Sequence, residues 1–361
     1  MTFNPKIPYN DLPPLPPRQD LETRAVLKKT VTARSALAEL KGLGATIPNQ
    51  AMLVDSLILQ EARTSSEIEN IITTSDALFQ AFSAKTRQID PVVKEVLHYR
   101  EALWNGFNEL KERPLLSTNL FIDLVRTIKG HTEGIRRIPG TTIANAATGE
   151  ILYTPPEGEA VIRDKLKNLE DFIHTHDAVD PLVKLSVIHY QFEAIHPFAD
   201  GNGRTGRIIN ILYLIQQGLL DLPVLYLSKA IIERKNDYYR LLRQVTEKDL
   251  WEPWILYTLE AVEQTACFTR DRILEIRALM EETMEAARAK LPERVYSKEL
   301  IETIFRQPYT KSQFLVDAKI AKRQTAAEYL RELEKNGILK AHKMGKETLY
   351  LNVKLYALLS K

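Results

Sequence analysis

The 361-residue sequence predicts a mainly α-helical protein, a long helical body ending in a small winged helix-turn-helix module. Three observations point there. Apolar residues recur at spacings of three and four through most of the first 290 positions, the period of an amphipathic helix. Before the last fifty residues, strand-like patterning is confined to one short stretch, residues 137–156. Residues 291–361 then read as three short helices followed by two strands, the order of a winged helix.

The elements follow in order. Residues 5–17 form a proline-rich arm, expected to lie extended on the body or on a neighbouring subunit. Residues 21–43 and 50–81 carry helical periodicity; in the second, Leu53, Leu57, Ile58, Ala62, Ile68, Ile71 and Ile72 share one side. Further helices are expected at 90–113, 117–129, 161–174 and 181–195, with Pro181 acceptable in a first turn. A helix at 204–217 ends at Gly218, a C-cap, and helices at 236–245 and 251–290 complete the body. In 137–156, Gly140, Thr141, Thr142, Asn145, Thr148 and Gly149 break the helical period before Ile151-Leu152-Tyr153, which reads as a hairpin. In the tail, helices at 297–307, 312–318 and 321–336 are closed by Gly337. Strands at 338–343 and 348–352 flank Met344-Gly345-Lys346. Three regions result: 1–90, 91–290 and 291–361.

Composition sets bounds. With 44% hydrophobic and 27% charged residues, the chain is of ordinary globular type and can bury a core. Cys267 is the single cysteine, so an intrachain disulfide or cysteine-based zinc cluster is excluded, which suits a reducing compartment. Without a signal-like N-terminus or a run of about 18 apolar residues, a cytoplasmic protein with no membrane partner is expected. The net charge of +2 divides unevenly: residues 291–361 carry +6 and the rest −4. A basic tail on a slightly acidic body suggests a module with its own partner, nucleic acid among the candidates; a merely solvated charged surface is the alternative.

The segment richest in chemistry is His196-Pro197-Phe198-Ala199-Asp200-Gly201-Asn202-Gly203-Arg204-Thr205-Gly206-Arg207. One helix leads in and another leaves. Gly201 and Gly203 allow successive amides to face one concave side at the start of the second helix, a nest that binds phosphate. Arg204 and Arg207, three apart, are expected to bring guanidinium groups to the same region. Asp200 supplies one carboxylate, and a carboxylate plus phosphate oxygens is the usual way to hold Mg²⁺. His196 is suited to take a proton from a hydroxyl. These are the parts that phosphoryl or nucleotidyl transfer needs. Gly201-x-Gly203-x-x-Gly206 also satisfies a dinucleotide fingerprint, with Asp221 placed 20 residues on, but a helix rather than a strand precedes it. A P-loop is excluded because no Gly-Lys-Ser/Thr closes the run.

The twelve residues resemble the Fic family motif His-Pro-Phe-x-Asp/Glu-Gly-Asn-Gly-Arg-x-x-Arg at every specified position. The resemblance implies a Fic-type helical core and transfer of AMP from ATP to Ser, Thr or Tyr hydroxyls of a target protein, with the enzyme itself as one candidate target. It implies His196 as general base and Asp200 as Mg²⁺ ligand. Gly201, Asn202 and Gly203 would hold phosphates near the point of attack, with Thr205 and Gly206 in the same nucleotide-binding run and Arg204 and Arg207 on the outer phosphates. Gly203 favours nucleotidyl transfer, since phosphotransferase relatives carry Lys there. Ser65-Ser66-Glu67-Ile68-Glu69-Asn70 resembles the family's inhibitory motif Ser/Thr-x-x-x-Glu-Gly/Asn. There the glutamate, here Glu69 following Ser65, pairs with the second motif arginine, here Arg207, and blocks productive ATP binding. Glu67 would point to another face.

By the same resemblance the hairpin is a flap that aligns the target by strand pairing, with Glu150, Ile151, Leu152 and Tyr153 near nucleotide and target. Tyr238 and Tyr239 fall where family members place an aromatic near adenine; packing in a helical core is the alternative. His189 is expected to be a packed side chain, and His174 and His176 to straddle a helix end. Lys319, Lys322, Arg323, Gln324 and Thr325, with Lys340, Lys343 and Lys346 around the wing, are placed to meet DNA, although winged helices also bind protein. Bacterial Fic proteins share this order of arm, inhibitory helix, core and winged helix. A homodimer is expected from the family. Two other readings stay open: a nucleotide-sensing DNA-binding regulator, and a Fic enzyme that removes AMP or transfers another phosphate-containing group.

Overall fold

A computed structural model describes residues 3–45, 50–83, 89–132, 134–145, 148–344 and 347–360, and side chains are described outside 45–53. The wing residue Lys346 and the side chain of Leu53 therefore lie outside the described residues. The chain runs α1 (Arg24–Ala45), α2 (Gln50–Ile68), α3 (Ser75–Ser83), α4 (Pro91–Glu112), α5 (Thr118–Lys129), β1 (Ile143–Ala144), β2 (Ile151–Tyr153), α6 (Glu159–His174), α7 (Pro181–Ile195) and α8 (Asn202–Gln216). It continues with α9 (Leu227–Glu233), α10 (Lys235–Lys248), α11 (Trp251–Lys290), α12 (Lys298–Ile304), β3 (Tyr309–Thr310), α13 (Ser312–Asp317), α14 (Arg323–Lys335), β4 (Lys340–Met344), β5 (Glu347–Leu351) and α15 (Val353–Leu359). The mainly helical expectation holds, with two small antiparallel sheets.

Helices α7 and α8 pack on each other at the centre, and each is buried on nearly every face. A helix apolar all round belongs inside a protein. Local chemistry fixes their ends. Asp180 caps α7 by accepting from the Leu182 amide, with Pro181 in the first turn. Ser117 caps α5 and Asp90 caps α4 in the same way. Around this pair, α4 and α5 pack on α8, α6 packs on α7, and α1 lies along the 40-residue α11.

The expected helix over 50–81 is in fact two. It stops at Ile68 because Asn70 adopts a left-handed conformation (φ 63°). The Asn70 amide returns to the Glu67 carbonyl and the Ile71 amide to the Ser66 carbonyl, a Schellman closure. The apolar stripe therefore ends at Ile68, and Ile72 is exposed. Sequence periodicity also passed over α9, β3 and α15.

In the tail, β3, β5 and β4 form one antiparallel sheet in that order, and α12, α13 and α14 precede β4 in the chain, with β3 between α12 and α13. The tail packs against α2, α3 and α11. Tyr309 donates to Asp76 (2.6 Å), Ser56 Oγ donates to the Arg306 carbonyl (3.1 Å), and Gln60 donates to the Leu359 carbonyl. The N-terminal arm lies on its own chain. Tyr9 donates its amide to the Thr154 carbonyl, Asn168 brackets Leu15, and Gln191 donates to the Pro13 carbonyl.

Candidate active site

The motif loop is a stiff connector between two buried helices. His196 caps α7 in a left-handed conformation (φ 49°), donating its amide to the Phe192 carbonyl, and Pro197 prevents the helix from continuing. Phe198 is fully buried and anchors the turn. Gly201 (φ 84°) supplies the second left-handed residue, and α8 starts at once. The Asn202 side chain spans the loop, accepting from the Phe198 amide (2.9 Å) and donating to its carbonyl (2.8 Å). Asn202 is therefore a brace of the motif loop, its side chain committed to Phe198.

His196 is half-buried. Burial, and then the nearby Arg136 guanidinium, pull its imidazole down to about 4, while one ring nitrogen is bonded to the Glu193 carbonyl. The imidazole is thus neutral at ordinary pH and retains a lone pair, the state a general base requires. Arg136, which no motif signalled, holds this corner together. Its amide donates to the Pro197 carbonyl (2.9 Å), its Nε to the His196 carbonyl (2.8 Å), and its Nη2 to the carbonyls of Ile195 (3.4 Å) and Pro156. One side chain therefore ties the motif turn to the end of the hairpin.

Arg204 and Arg207 do not converge; each is drawn to a different helix. Arg204 is buried and donates to Glu95 of α4 (2.7 Å). Arg207 is buried and turned to α2, donating to Ser65 Oγ (2.7 Å), the Ser65 carbonyl (2.8 Å) and Glu69 Oε1 (2.9 Å). Burial disfavours the Arg207 charge, but Glu69 and then Tyr238, Tyr99 and Glu193 outweigh it and hold its pKa above the ordinary value. Glu69 also lies over Gly203: a Cβ there would stand 2.3 Å from Glu69 Oε1. The inhibitory candidate thus sits on the motif loop itself.

Asp200 is largely exposed and paired with Lys129 (2.5 Å). Burial raises its carboxyl, but Lys129, Arg204 and the Gly201 amide prevail and keep it ionised. Among the described residues there is no group of three or more His, Cys, Asp or Glu arranged to hold a metal. A cation here would have Asp200 and the oxygens of a bound nucleotide, a donor set suited to Mg²⁺.

Thr205 is buried in α8, and a Cβ on Gly206 would meet Glu193 Oε1 at 2.5 Å, so Gly206 serves the fit of α8 to α7. That Glu193 oxygen is buried and has no hydrogen-bond partner among the described residues; burial lifts the carboxyl to about 8, with Glu69 adding repulsion against the pull of Arg207. Tyr238 and Tyr239 part company. Tyr238 is buried, bonded to His189 (2.8 Å) and packed on Trp254, while Tyr239 is exposed at the edge of the Glu69–Arg207 pair. His189 is a packed side chain, as expected, and also contacts Asn210 (3.0 Å).

The hairpin pairs Ile143 with Tyr153 and Ala144 with Ile151. Glu150 is exposed, and Ile151 and Leu152 are half-buried. Tyr153 turns inward: its hydroxyl donates to the Ala194 carbonyl (2.7 Å) and its ring stacks on Phe3 of the arm. It anchors the hairpin to the end of α7.

Comparison with known proteins agrees with this arrangement. Three family models match in chain order: Fic/DOC family N-terminal over residues 27–108, Fic/DOC family over 115–214, and the C-terminal domain of protein adenylyltransferase SoFic-like proteins over 279–355. Protein adenylyltransferase fic-1 of Caenorhabditis elegans is 27% identical over 157 residues, 42% of this chain and 28% of that protein. A probable protein adenylyltransferase of Aquifex aeolicus is 25% identical over 180 residues, 49% of this chain and 45% of that one. The chain thus spans less than half the length of these relatives. Among solved structures, a Fic family protein from Desulfovibrio desulfuricans superposes with a TM-score of 0.59 at 17% identity, covering 94% of this chain and 98% of that one. Fic-1 of C. elegans (residues 134–508) gives 0.53 at 19% identity, covering 70% and 74%. With the motif loop, the buried helix pair and the appended tail matched in sequence and the fold matched in shape, the chain belongs to the Fic/DOC family.

Proposed function

We propose that the chain is an autoinhibited protein adenylyltransferase that moves AMP from ATP to a hydroxyl of a target protein. The observation that carries the reading is a neutral His196 at the mouth of a phosphate nest whose arginine, Arg207, is already engaged by Glu69. In the reaction, the target hydroxyl oxygen attacks the α-phosphorus as His196 takes its proton. The bond from that phosphorus to the bridging oxygen breaks, and pyrophosphate leaves with the electron pair. The amides of Gly201, Asn202 and Gly203 face the phosphates, and Arg207, once free of Glu69, faces the outer ones. Mg²⁺ on Asp200 would neutralise phosphate charge. With Glu69 in place, a carboxylate occupies the donors that an outer phosphate needs, so the resting state is off.

The test is direct. The protein, its Glu69→Gly variant and the double variant with His196→Ala are incubated with ATP labelled at the α-phosphate, with and without lysate, and products are weighed intact. A mass gain of one AMP that grows in Glu69→Gly and vanishes with His196→Ala is expected. An added group other than AMP, or loss of AMP from a pre-modified target as the main reaction, would assign a different Fic chemistry. ATP binding without any labelling would defeat the reading.

A second partner is favoured by one feature of the tail. Lys319, Lys322, Arg323 and Gln324 are exposed where α14 begins, and Lys340 and Lys343 are exposed on β4. These cations suit phosphate contacts of a DNA duplex. Salt-dependent DNA binding that Lys322→Glu with Arg323→Glu abolishes is the expected result; unaltered binding would exclude this face.

A further inference from the structure

Gly203, Gly206 and Arg207 share one side of α8, and a carboxyl group from a different helix lies against each glycine. A Cβ on Gly203 would stand 2.3 Å from Glu69 Oε1 of α2, and a Cβ on Gly206 would stand 2.5 Å from Glu193 Oε1 of α7. Two missing side chains thus admit two carboxyls, from opposite neighbours, to the flank of one buried arginine. Arg207 treats them differently. It donates to Ser65 Oγ, the Ser65 carbonyl and Glu69 Oε1, all on α2. Glu193 Oε1 receives nothing; it is buried and has no hydrogen-bond partner among the described residues.

An ionised carboxylate beside a guanidinium would take a share of its donors. Glu193 takes none because it is uncharged. Burial lifts its carboxyl to about 8; Arg207 attracts the charged form, and Glu69 repels it. The other titratable groups that face it keep their charge states over the range in which it ionises. Tyr238 and Tyr239 on α10 are held above the ordinary tyrosine value, chiefly by burial. His189, on its own helix and 3.5 Å from the same Gly206 position, is pulled down to about 3 by burial and then by Arg207, and so is neutral. Arg207 itself stays charged.

We propose that Glu193 is a positioning residue of the resting state: uncharged, it leaves Arg207 to Glu69, and once ionised it drives Glu69 from the arginine. Release of Glu69 removes a repulsion on Glu193 and leaves the attraction of Arg207, so Glu193 ionises more readily when Glu69 is away. By linkage, ionisation of Glu193 favours that release to the same extent. The Glu69–Arg207 pair is therefore at full strength at low pH, where Glu193 is neutral in either arrangement, and weakens as pH rises towards and through about 8. The inference rests on the autoinhibition proposed above for its consequence, but not for the coupling between the two carboxyls.

The test uses the full chain with His196→Ala, which blocks turnover, with and without Glu69→Gly. ATP affinity is measured calorimetrically from about pH 6.5 to about pH 9.5. The factor by which Glu69→Gly tightens ATP binding should fall about three- to tenfold across that range, one pKa unit being one factor of ten. Comparing the two proteins at each pH removes whatever else titrates. With Glu193→Gln added to both, the factor should stay constant within about twofold, since the amide keeps the shape of the neutral acid and cannot ionise. A merely structural role would leave the pH dependence in place. Urea unfolding of the parent, Glu69→Gly, Glu193→Gln and the double variant gives the coupling without ATP. The two effects should add at about pH 6.5. At about pH 9 they should deviate from additivity about three- to tenfold in the unfolding constant, with Glu193→Gln more stabilising when Glu69 is present. A factor independent of pH, the same decline in Glu193→Gln, or additivity at both pH values would each overturn the assignment. ATP affinity indifferent to Glu69→Gly at every pH would instead overturn the autoinhibition reading, and the unfolding cycle would still decide the coupling.

Discussion

Glu69 Oε1 lies 2.9 Å from Arg207 Nη2, and the same oxygen lies where a Cβ on Gly203 would fall, 2.3 Å away. One carboxylate thus engages an arginine and lies against Gly203 of the motif loop. The Schellman closure explains how it gets there: Asn70 ends α2 directly after Glu69, which leaves the side chain at the helix end aimed at α8.

Removing that carboxylate should switch the protein on. Glu69→Gly is expected to raise AMP labelling at least tenfold and to tighten ATP binding, both read with labelled nucleotide. Glu69→Gln keeps the shape without the charge and should fall between the two. Equal labelling in all three proteins would show that the pair has no inhibitory role.

Arg136 should matter as a positioning residue. Arg136→Ala frees three carbonyls around the catalytic turn and removes a cation near His196, so kcat is expected to fall roughly 10–100-fold with little change in KM for ATP. The pH profile separates this from simple unfolding. With His196 at about 4, kcat/KM in the Glu69→Gly background should be flat from pH 8 down to about 5 on the acid side. In Arg136→Ala the acid limb should move to higher pH, and Arg136→Lys should restore it in part.

His189 should make stability depend on pH. Burial, and then Arg207, hold its folded pKa at about 3, below the unfolded value near 6.5. Above pH 6.5 both states are neutral there and the contribution is complete. As pH falls towards 3 the unfolded chain takes up a proton first, so stability declines across that window. The Tm between pH 7 and 4 should therefore fall less steeply in His189→Gln than in the parent.

The tail should contribute to the stability of α3. Tyr309→Phe removes the bonds to Asp76 and Gln80 from a buried position, a loss of about 1–2 kcal/mol by urea denaturation. Asp76→Ala should cost a similar amount, and the double variant should cost less than the sum of the two.

The legible part of the site was the part written locally. The helix–loop–helix from Pro181 to Gln216 follows from proline, glycine and capping residues that act within a turn or two. Illegible were the partners supplied from afar. Arg136 acts on a residue 60 positions away, Lys129 on one 71 away, and Glu95 on one 109 away, and no period or motif links such pairs. The divergence of Arg204 and Arg207 has the same origin, since helical spacing placed them together while carboxylates on α4 and α2 pulled them apart. Strand β3 is two residues long and exists because β5 is there to pair with it.

Helix α2 is bolted to the tail through Ser56 and Gln60 and to the core through Glu61, which accepts from Ser228 and Tyr99. Its body therefore has little freedom to swing away. Arg207, meanwhile, has two further bonds to Ser65 that do not involve Glu69. Under the autoinhibition proposed above, activation is the rotation of a single side chain at a helix end, a change on the timescale of rotamers rather than of domains. The arginine would be waiting in position when it happens.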